Sequence, residues 1–302
     1  MITVIAYLRE MSETKAENTV KNHRSTLTKF FTAVKVDEVI EVLPSDVMQF
    51  KKNLLRTGTV ASTNTQLKRV KAFFKWCTAK GIMDFSPCED VGLATETPEA
   101  PKWLSAEQSN ALIRAIKRDY LGAGVAEAKK SYRELLIVLL MLKAGLRVGE
   151  VVGQKLSDIE ITDRKASLYV RGDKREMHRT VPLPSDVVKV LKMYLDSYTP
   201  KGEYLFDSRQ SIKLSERSVQ VMLDKYKSLK TETATITELT PHMLRHTYAH
   251  DLANGGMAVE SIARLLGHFK NNGKPNIQQT IRYTMKSNTE IADELEEILA
   301  IK

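Results

Sequence analysis

Apolar residues recur every three to four positions through the first 92 residues, and this spacing predicts a series of amphipathic helices. The expected helices lie near 2–11, 16–34, 45–57 and 62–80. Pro44 with Ser45 is expected to open the third helix, and Ser62 to cap the fourth. Gly58 and Gly81 mark the points where these two helices are expected to end. The first part of the chain is therefore predicted to be an all-helical domain.

A proline-containing connector is expected to follow the helical part. The sequence LATETPEAPKW at 93–103 has few large apolar residues, and Pro98 and Pro101 favour an extended backbone. We therefore expect three parts along the chain: a first domain at 1–97, a connector at 98–103 and a second domain at 104–302.

The second domain combines helical and strand patterns. Ser105 and Gln108 form a capping-box pattern that opens a helix to about Tyr120, and an apolar helix at 131–144 follows. The segments DIEIT, ASLYVRG and HRTVPLP alternate apolar and polar residues, which predicts a small antiparallel sheet. Further helices are expected near 185–197, 215–229 and 288–302. The predicted fold class is mainly α with a small antiparallel β-sheet.

The charge and hydropathy of the chain limit the classes of protein to which it can belong. The 302 residues include 46 Lys and Arg against 37 Asp and Glu, and the net charge of +9 favours a polyanionic partner. The N-terminal sequence lacks the basic and apolar regions of a signal peptide, and the longest apolar run, at 135–142, is too short for a membrane span. Cys77 and Cys88 have neither metal-site nor redox spacing and are expected to be reduced thiols. We expect a cytoplasmic protein without a membrane partner.

The stretch 240–283 concentrates side chains suited to attack on a phosphodiester. Thr240 is expected to cap a helix on which His242 and Arg245, three residues apart, share one face. His268 follows the predicted end of the next helix, and Tyr283 lies on a basic segment after it. A base, a fixed cation, a second imidazole and a phenol are what such an attack needs when no metal takes part.

Five segments resemble the motifs of the phage integrase, or tyrosine recombinase, family: AGLRVGEV, GDKREMHRTVPL, HMLRH, LLGH and TIRYT. The resemblance implies a set of catalytic residues made up of Arg147, Lys174, His242, Arg245, His268 and Tyr283. It also implies that Glu150 is a supporting carboxylate and that the first domain is the SAM-like core-binding domain of the family.

The reaction implied by the resemblance gives each residue a role. Tyr283 would attack the phosphate, and the arginines would bind the non-bridging oxygens as charge accumulates there. His242 is the candidate base, and His268 would hydrogen-bond the phosphate. Lys174, at the turn between two predicted strands, would protonate the departing sugar hydroxyl. Since each step exchanges one phosphoester for another, no metal, ATP or other cofactor is expected.

The implied function is site-specific DNA recombination through a 3′-phosphotyrosyl link and a Holliday junction. Its partners would be double-stranded DNA with specific core sites and further copies of the chain, as a dimer on one site and a tetramer in synapsis. The expected setting is a mobile genetic element and the nucleoid. A topoisomerase-like enzyme that nicks and reseals one duplex is an alternative. A DNA-binding or architectural protein with the same fold but without catalysis is another.

His242, His246 and His250 recur at four-residue intervals along one predicted helix, a spacing that would also suit a metal site. Cysteine or a well-placed acid that would complete a zinc pattern is missing from this stretch, so we expect no metal. His246 is instead expected to pack beneath the site and to hydrogen-bond the backbone.

Two basic surfaces are candidates for DNA contact. The polar face of the fourth helix and the segment around Tyr283 contribute Lys68, Arg69, Lys71, Lys75, Lys270, Lys274 and Arg282. The segment between His268 and Tyr283 is longer than the family's usual spacing, and its Asn, Gly and Pro residues predict a protruding loop that either touches DNA or is simply solvated. The amphipathic tail at 288–302 either folds back on its own domain or packs on a neighbouring subunit.

Overall fold

The computed structural model describes residues 2–36, 38–96, 101–121, 125–162, 165–172, 177–270, 272–283 and 288–300. The chain divides into two compact units, Met1–Glu99 and Ala100–Lys302. Among the described residues, no helix is both long enough and apolar enough to cross a bilayer.

The first unit is helical in all its regular structure that is described. Its four α-helices are α1 (Ile2–Thr14), α2 (Glu17–Val34), α3 (Pro44–Thr57) and α4 (Val60–Ala79), with a short 3-10 turn at Val39–Glu41. Aromatic rings fill the core where the second and fourth helices face each other. Phe30, for example, is fully buried and lies edge-on to Phe74 at 5.8 Å between ring centroids.

The cap of α4 corrects one expectation. Thr59, and not Ser62, is the capping residue, because the Thr59 side chain accepts a hydrogen bond from the backbone N–H of Ser62 at 3.2 Å. The sequence TVAS offers two hydroxyls three residues apart, and the helix begins at the earlier one. Pro44 occupies the first turn of α3 as expected.

The second unit holds the remaining helices and the sheet. The helices are α5 (Ala106–Leu121), α6 (Val125–Leu142), α7 (Val148–Gly153), α8 (Ser185–Ser197), α9 (Glu216–Asp224), α10 (Pro241–Asn254), α11 (Val259–Leu266), α12 (Ile277–Thr280) and α13 (Asn288–Ala300). The strands are β1 (Ile159–Ile161), β2 (Ala166–Val170) and β3 (Arg179–Pro182), which form one antiparallel sheet in the order β1-β2-β3. The mainly α fold with a small antiparallel sheet is thus confirmed.

Local signals account for several of these boundaries. The predicted capping box at α5 is formed by two reciprocal hydrogen bonds between Ser105 and Gln108, at 2.9 and 3.2 Å. Residues 135–142 of α6 are buried and form the centre of the core, as the apolar run predicted. The helix expected near 215–229 is shorter than predicted: α9 ends at Asp224, and turns follow.

The segment after α11 forms a compact hairpin that brings the chain back on itself. Gly267 caps the C-terminus of α11 and has the left-handed backbone angle φ of 71°. Phe269 and Pro275 then pair as an isolated antiparallel bridge, and the N–H of Asn276 donates to the carbonyl of His268 at 2.7 Å. The extra residues therefore loop out, as predicted, and α12 starts beside His268.

The tail helix α13 exposes apolar side chains. Its apolar side chains that are at least half exposed are Ile291, Leu295, Ile298 and Leu299. They occupy positions i, i+4, i+7 and i+8, which lie on one face of the helix.

Candidate active site

One buried carboxylate organises the arginines of the site. Arg147 lies at the start of α7, and its backbone N–H and Nη1 donate to the two oxygens of Glu150 at 2.7 and 3.0 Å. Arg179 donates from Nη1 and Nη2 to the same carboxylate, each at 2.8 Å. Nη1 of Arg245 lies 3.6 Å from Glu150 Oε2. The side chain of Glu150 is therefore shared by three guanidinium groups.

The charges of this cluster keep Glu150 ionised. Burial by itself would raise the pKa of Glu150, but the hydrogen bonds and charge of Arg179, followed by the charge of Arg245, lower it overall. The carboxylate is thus a fixed anion that offsets part of the mutual repulsion of the arginines. It leaves a net positive cluster that is oriented before any substrate binds.

Arg179 is a residue that the sequence interpretation missed. Besides its bidentate pair with Glu150, its Nε donates to the carbonyl of Leu265 at 2.8 Å, so it joins strand β3 to the end of α11. Its guanidinium also fills the space beside Gly267, where a Cβ would lie 2.6 Å from Nη1. A signal was present: the alternation along β3 places Arg179 on the buried side with Val181, where an arginine requires an acidic partner.

Arg245 lies deepest among the arginines, with only 4% of its surface exposed. Its Nη1 donates to the carbonyl of Gly145 at 2.6 Å, and its Nη2 donates to the carbonyl of Leu266. Burial, and then the charge of Arg147, lower the pKa of Arg245 to about 9, which still leaves a cation at neutral pH.

His268 sits behind Arg245 with a defined tautomer. Arg245 Nη2 lies 3.2 Å from His268 Nε2, and since a guanidinium can only donate, Nε2 accepts. Nδ1 then carries the proton and donates to Thr280 Oγ1 at 2.9 Å, while the Thr280 hydroxyl donates to the carbonyl of Asn276 at 3.2 Å. Burial and the neighbouring arginines lower the pKa of His268 to about 3, so the ring is neutral. In this arrangement His268 orients Arg245.

Tyr283 lies against the histidines of the site. It ends a 3-10 turn, Ile281–Tyr283, directly after α12, and is 9% exposed. Its ring centroid is 4.8 Å from that of His246 and 6.0 Å from that of His268. Tyr283 also packs in an apolar cluster with Tyr248 and Leu266. The phenol is thus held beside the arginines by ring and apolar contacts.

An open cavity of about 590 Å³ exposes the cationic side of this arrangement. The charged and histidine side chains that line it are Arg147, Glu150, Arg171, Lys213, Glu216, His242 and Arg245. Burial, then the charges of Arg245 and Arg147, lower the pKa of His242, so it is neutral at pH 7 and able to accept a proton. His268 adjoins the cavity through its contact with Arg245, and Tyr283 packs against His268 and His246. Neither His268 nor Tyr283 lines the cavity.

The structure brings most of the predicted catalytic residues together. Arg147, His242 and Arg245 line one cavity, and His268 and Tyr283 lie directly behind it. Lys174 falls outside the described residues.

The predicted DNA contacts lie on two separate surfaces. Lys68 and Lys75 are exposed on α4, whereas Arg69 and Lys71 are half-buried, and Arg69 Nη1 donates to Thr26 Oγ1 at 3.1 Å. Near the tyrosine, the exposed basic residues are Lys270, Lys274 and Arg282.

The three histidines of α10 have different surroundings. His242 faces the cavity, His246 Nδ1 hydrogen-bonds the carbonyl of Lys102 at 3.3 Å, and His250 stacks on Trp103 at 4.1 Å between ring centroids. The expectation that His246 bonds the backbone is confirmed. Within the described part of the chain, no three potential ligands are grouped as a metal site.

Comparison with known protein families agrees with this geometry. The pattern of the phage integrase family matches residues 102–290, and that of the phage integrase N-terminal SAM-like domain matches residues 4–81. The chain belongs to the phage integrase family. The resemblance stated from the sequence motifs, and with it the interpretation as a tyrosine recombinase enzyme, is therefore confirmed.

Two relatives by sequence and one solved structure with the same fold support this assignment. The tyrosine recombinase XerA of Pyrococcus furiosus is 32% identical over 85% of this chain and 81% of its own length. The tyrosine recombinase XerC of Staphylococcus saprophyticus is 25% identical over 94% and 92%. A lambda integrase dimer bound to a core site shares the fold, with a TM-score of 0.72 over 95% of each chain at 18% identity.

Proposed function

We propose that this phage integrase family member cuts and rejoins duplex DNA at specific core sites, with Tyr283 as the nucleophile. The observation that carries the proposal is the convergence of Arg147, Arg245 and His242 on one open cavity, with Tyr283 directly behind it. Arg147 lies at the start of α7, His242 and Arg245 share α10, and Tyr283 ends a 3-10 turn. Together they supply the groups needed for attack on a phosphodiester.

In the first step, the phenol oxygen of Tyr283 attacks phosphorus, and the bond to the 5′ oxygen breaks. The phenol proton passes to a base, for which neutral His242 is the candidate. The product is a 3′-phosphotyrosyl link and a free 5′-hydroxyl. In the second step, the 5′-hydroxyl of a partner duplex attacks that link and releases Tyr283. One phosphoester replaces another at each step, so a Holliday junction forms without an external energy source.

Arg147 and Arg245 would bind the non-bridging oxygens of the scissile phosphate. Arg147 is already held by Glu150, and Arg245 by the carbonyls of Gly145 and Leu266, so their reorientation during the reaction is small. Lys174 is assigned to protonation of the leaving 5′ oxygen. For His268, a direct hydrogen bond to phosphate would require its contact with Arg245 to open, so orientation of Arg245 is the role that its surroundings favour.

The proposed partners are double-stranded DNA and further copies of this chain. A lambda integrase in the same fold forms a dimer on its core site. The exposed apolar face of α13 supports assembly through the tail, since four apolar side chains in water favour contact with a second surface. Deletion of residues 288–302 should weaken synapsis more than single-site binding. An unchanged assembly state on DNA would assign the tail to its own subunit.

The other expectations extend the proposal. The assignment of 1–97 as core-binding domain, 98–103 as connector and 104–302 as catalytic domain would place the exposed Lys68 and Lys75 of α4, together with Arg69 and Lys71, on DNA. Lys270, Lys274 and Arg282 would contact phosphates near the nucleophile. The reaction would take place in the cytoplasm, at the nucleoid.

Covalent trapping tests the proposal. The chain is incubated with fragmented DNA, the linked fragments are sequenced to find the core site, and a nicked version of that site then serves as a suicide substrate. Wild-type protein should accumulate a covalent adduct, while Tyr283→Phe should bind the site without forming one. An adduct formed by Tyr283→Phe would refute the assignment. Strand exchange that depends on two sites separates a recombinase from a topoisomerase-like enzyme.

A further inference from the structure

The connector ends on the helix that carries the catalytic histidine. The carbonyl oxygen of Lys102 lies 3.3 Å from Nδ1 of His246, and the ring of Trp103 stacks on His250 one helical turn further along. Thr247 Oγ1 accepts a hydrogen bond from the next backbone N–H, of Leu104, at 2.9 Å. The first residues of the second unit are thereby attached along one side of α10.

The ring of His246 also contacts the ring of Tyr283. The two ring centroids lie 4.8 Å apart with an interplanar angle of 42°. The hydrogen bond to Lys102 fixes the tautomer, because a carbonyl can only accept, so Nδ1 carries the proton and Nε2 keeps its lone pair. His246 is half-buried between these two contacts and cannot turn without breaking one of them.

We propose that His246 is a positioning residue: it holds the ring of Tyr283 in place for attack and takes its own orientation from the carbonyl of Lys102. The proposal rests on the function proposed above, with Tyr283 as nucleophile. Its physical basis is the geometric demand of displacement at phosphorus, where a misplacement of about 1 Å costs roughly 100-fold in rate. Tyr283 is placed by ring and apolar contacts, so removal of a ring neighbour changes its position directly.

This arrangement also couples the connector to the chemistry. Lys102 lies close to the start of the second unit, and a shift of its carbonyl would be passed to His246 and from there to Tyr283. A change in the chain before Lys102 would thus reach the nucleophile along this path.

Two variants of His246 separate its contributions. His246→Ala removes both contacts, and the single-turnover rate of adduct formation at saturating suicide substrate should fall about 10- to 100-fold. His246→Phe keeps a ring against Tyr283 but loses the Nδ1 proton, and its rate of adduct formation should fall about fivefold. Binding to the site should stay within about twofold for both, because neither residue change alters a charge on the DNA-facing surface.

His250→Phe is the matched control. It carries the same substitution one turn along the same helix and keeps a ring stacked on Trp103. Among the described residues, the rings in contact with Tyr283 are those of His246 and His268. Its rate of adduct formation should stay within about twofold of wild type. If His246→Ala fails to fold, as judged by its thermal unfolding midpoint, the comparison of His246→Phe with His250→Phe decides the question.

A substrate with a sulfur at the 5′ bridging position identifies the step affected. A thiolate leaves without protonation, so this substrate removes the need for a general acid but still requires an aligned nucleophile. His246 variants should remain slow on it by the same factor. Rescue by the sulfur substrate would place His246 at the leaving group and overturn the proposal, as would a wild-type rate on the ordinary substrate. A Tyr283→Phe adduct would instead refute the function itself.

Discussion

The arginine cluster and the tyrosine segment lie side by side and are held in different ways. Arg179 and Arg245 are at most 8% exposed, and each makes several hydrogen bonds to Glu150 or to backbone carbonyls. Tyr283 is also buried, and among the described residues it packs against two histidine rings and an apolar cluster. Directional bonds thus fix the cations, whereas ring and apolar packing place the nucleophile.

The two ways of holding side chains suit the different tasks of the arginines and of the tyrosine. Charge stabilisation works best when the donors are oriented before the reaction, because reorganisation then costs little. A nucleophile must form a bond to phosphorus and later be released from it, and side chains held by packing adjust more easily than those held by buried ion pairs. Thr280 connects the two regions, because it bonds His268 from the helix that leads to Tyr283.

The largest expected effect comes from breaking the cluster itself. Glu150→Gln removes the charge shared by three arginines and should lower the free energy of unfolding by about 3–5 kcal/mol. Urea unfolding followed by Trp103 fluorescence in a Trp76→Phe background measures it, since the chain has only these two tryptophans.

Glu203→Gln provides the control for this change. It breaks the exposed ion pair with Lys155, at 2.8 Å, and should cost far less than Glu150→Gln. Equal losses in the two variants would show that the cluster is no more than a surface ion pair.

A smaller effect should follow from a single methyl group beside Arg179. Gly267→Ala places a Cβ 2.6 Å from the Arg179 guanidinium at a φ of 71°, and strain plus overlap should cost about 3 kcal/mol and slow adduct formation. Gly256→Ala is matched in φ, at 79°, and among the described residues its Cβ would meet nothing within 4 Å. It should cost only about 1 kcal/mol. Similar losses would mean that Arg179 moves aside freely.

Acid should weaken the second unit through its buried histidines. Burial lowers the pKa of His268 to about 3 and that of His246 to about 4, below the ordinary value of about 6.5, so the unfolded chain takes up protons first. Stability is therefore full above pH 6.5 and decreases as the pH falls. His268 alone should account for about 2 kcal/mol between pH 7.5 and 5. The urea midpoint of His268→Gln should depend less on pH than that of wild type; equal dependence contradicts the assignment.

The smallest expected effect comes from removing the hydrogen bond that joins the arginine cluster to the tyrosine segment. Thr280→Val removes the acceptor of the His268 Nδ1 proton in a fully buried position and should cost about 1–2 kcal/mol. Thr280→Ser retains the hydroxyl and should recover most of the lost rate of adduct formation. If the valine and serine variants react at equal rates, the hydrogen bond does not matter for placing the tyrosine segment.

Most of the fold could be predicted from local patterns. Helices α1 to α6 follow from apolar spacing and from caps such as Ser105 with Gln108, and the sheet follows from alternation. The errors arose where two local signals competed, as with Thr59 and Ser62 at the start of α4. They also arose at the end of α9, where turns replace the last helical residues that the pattern predicted.

The site was only partly predictable, for a physical reason. Motifs indicate Arg147, Arg245 and Tyr283, but partner choice is a long-range property. Nothing local to β3 says that Arg179 pairs with Glu150, 29 residues away, or that the Lys102 carbonyl meets His246. The neutral state of His268 likewise depends on burial and on arginines from other segments.

Because of the hairpin between Phe269 and Pro275, the position of α12 does not depend on the length of the loop. Because its two ends are joined by a strand bridge and Asn276 returns to His268, residues added at the tip would extend into solvent without displacing Tyr283. Members of the family could differ in length here and still present the same reactive end to DNA.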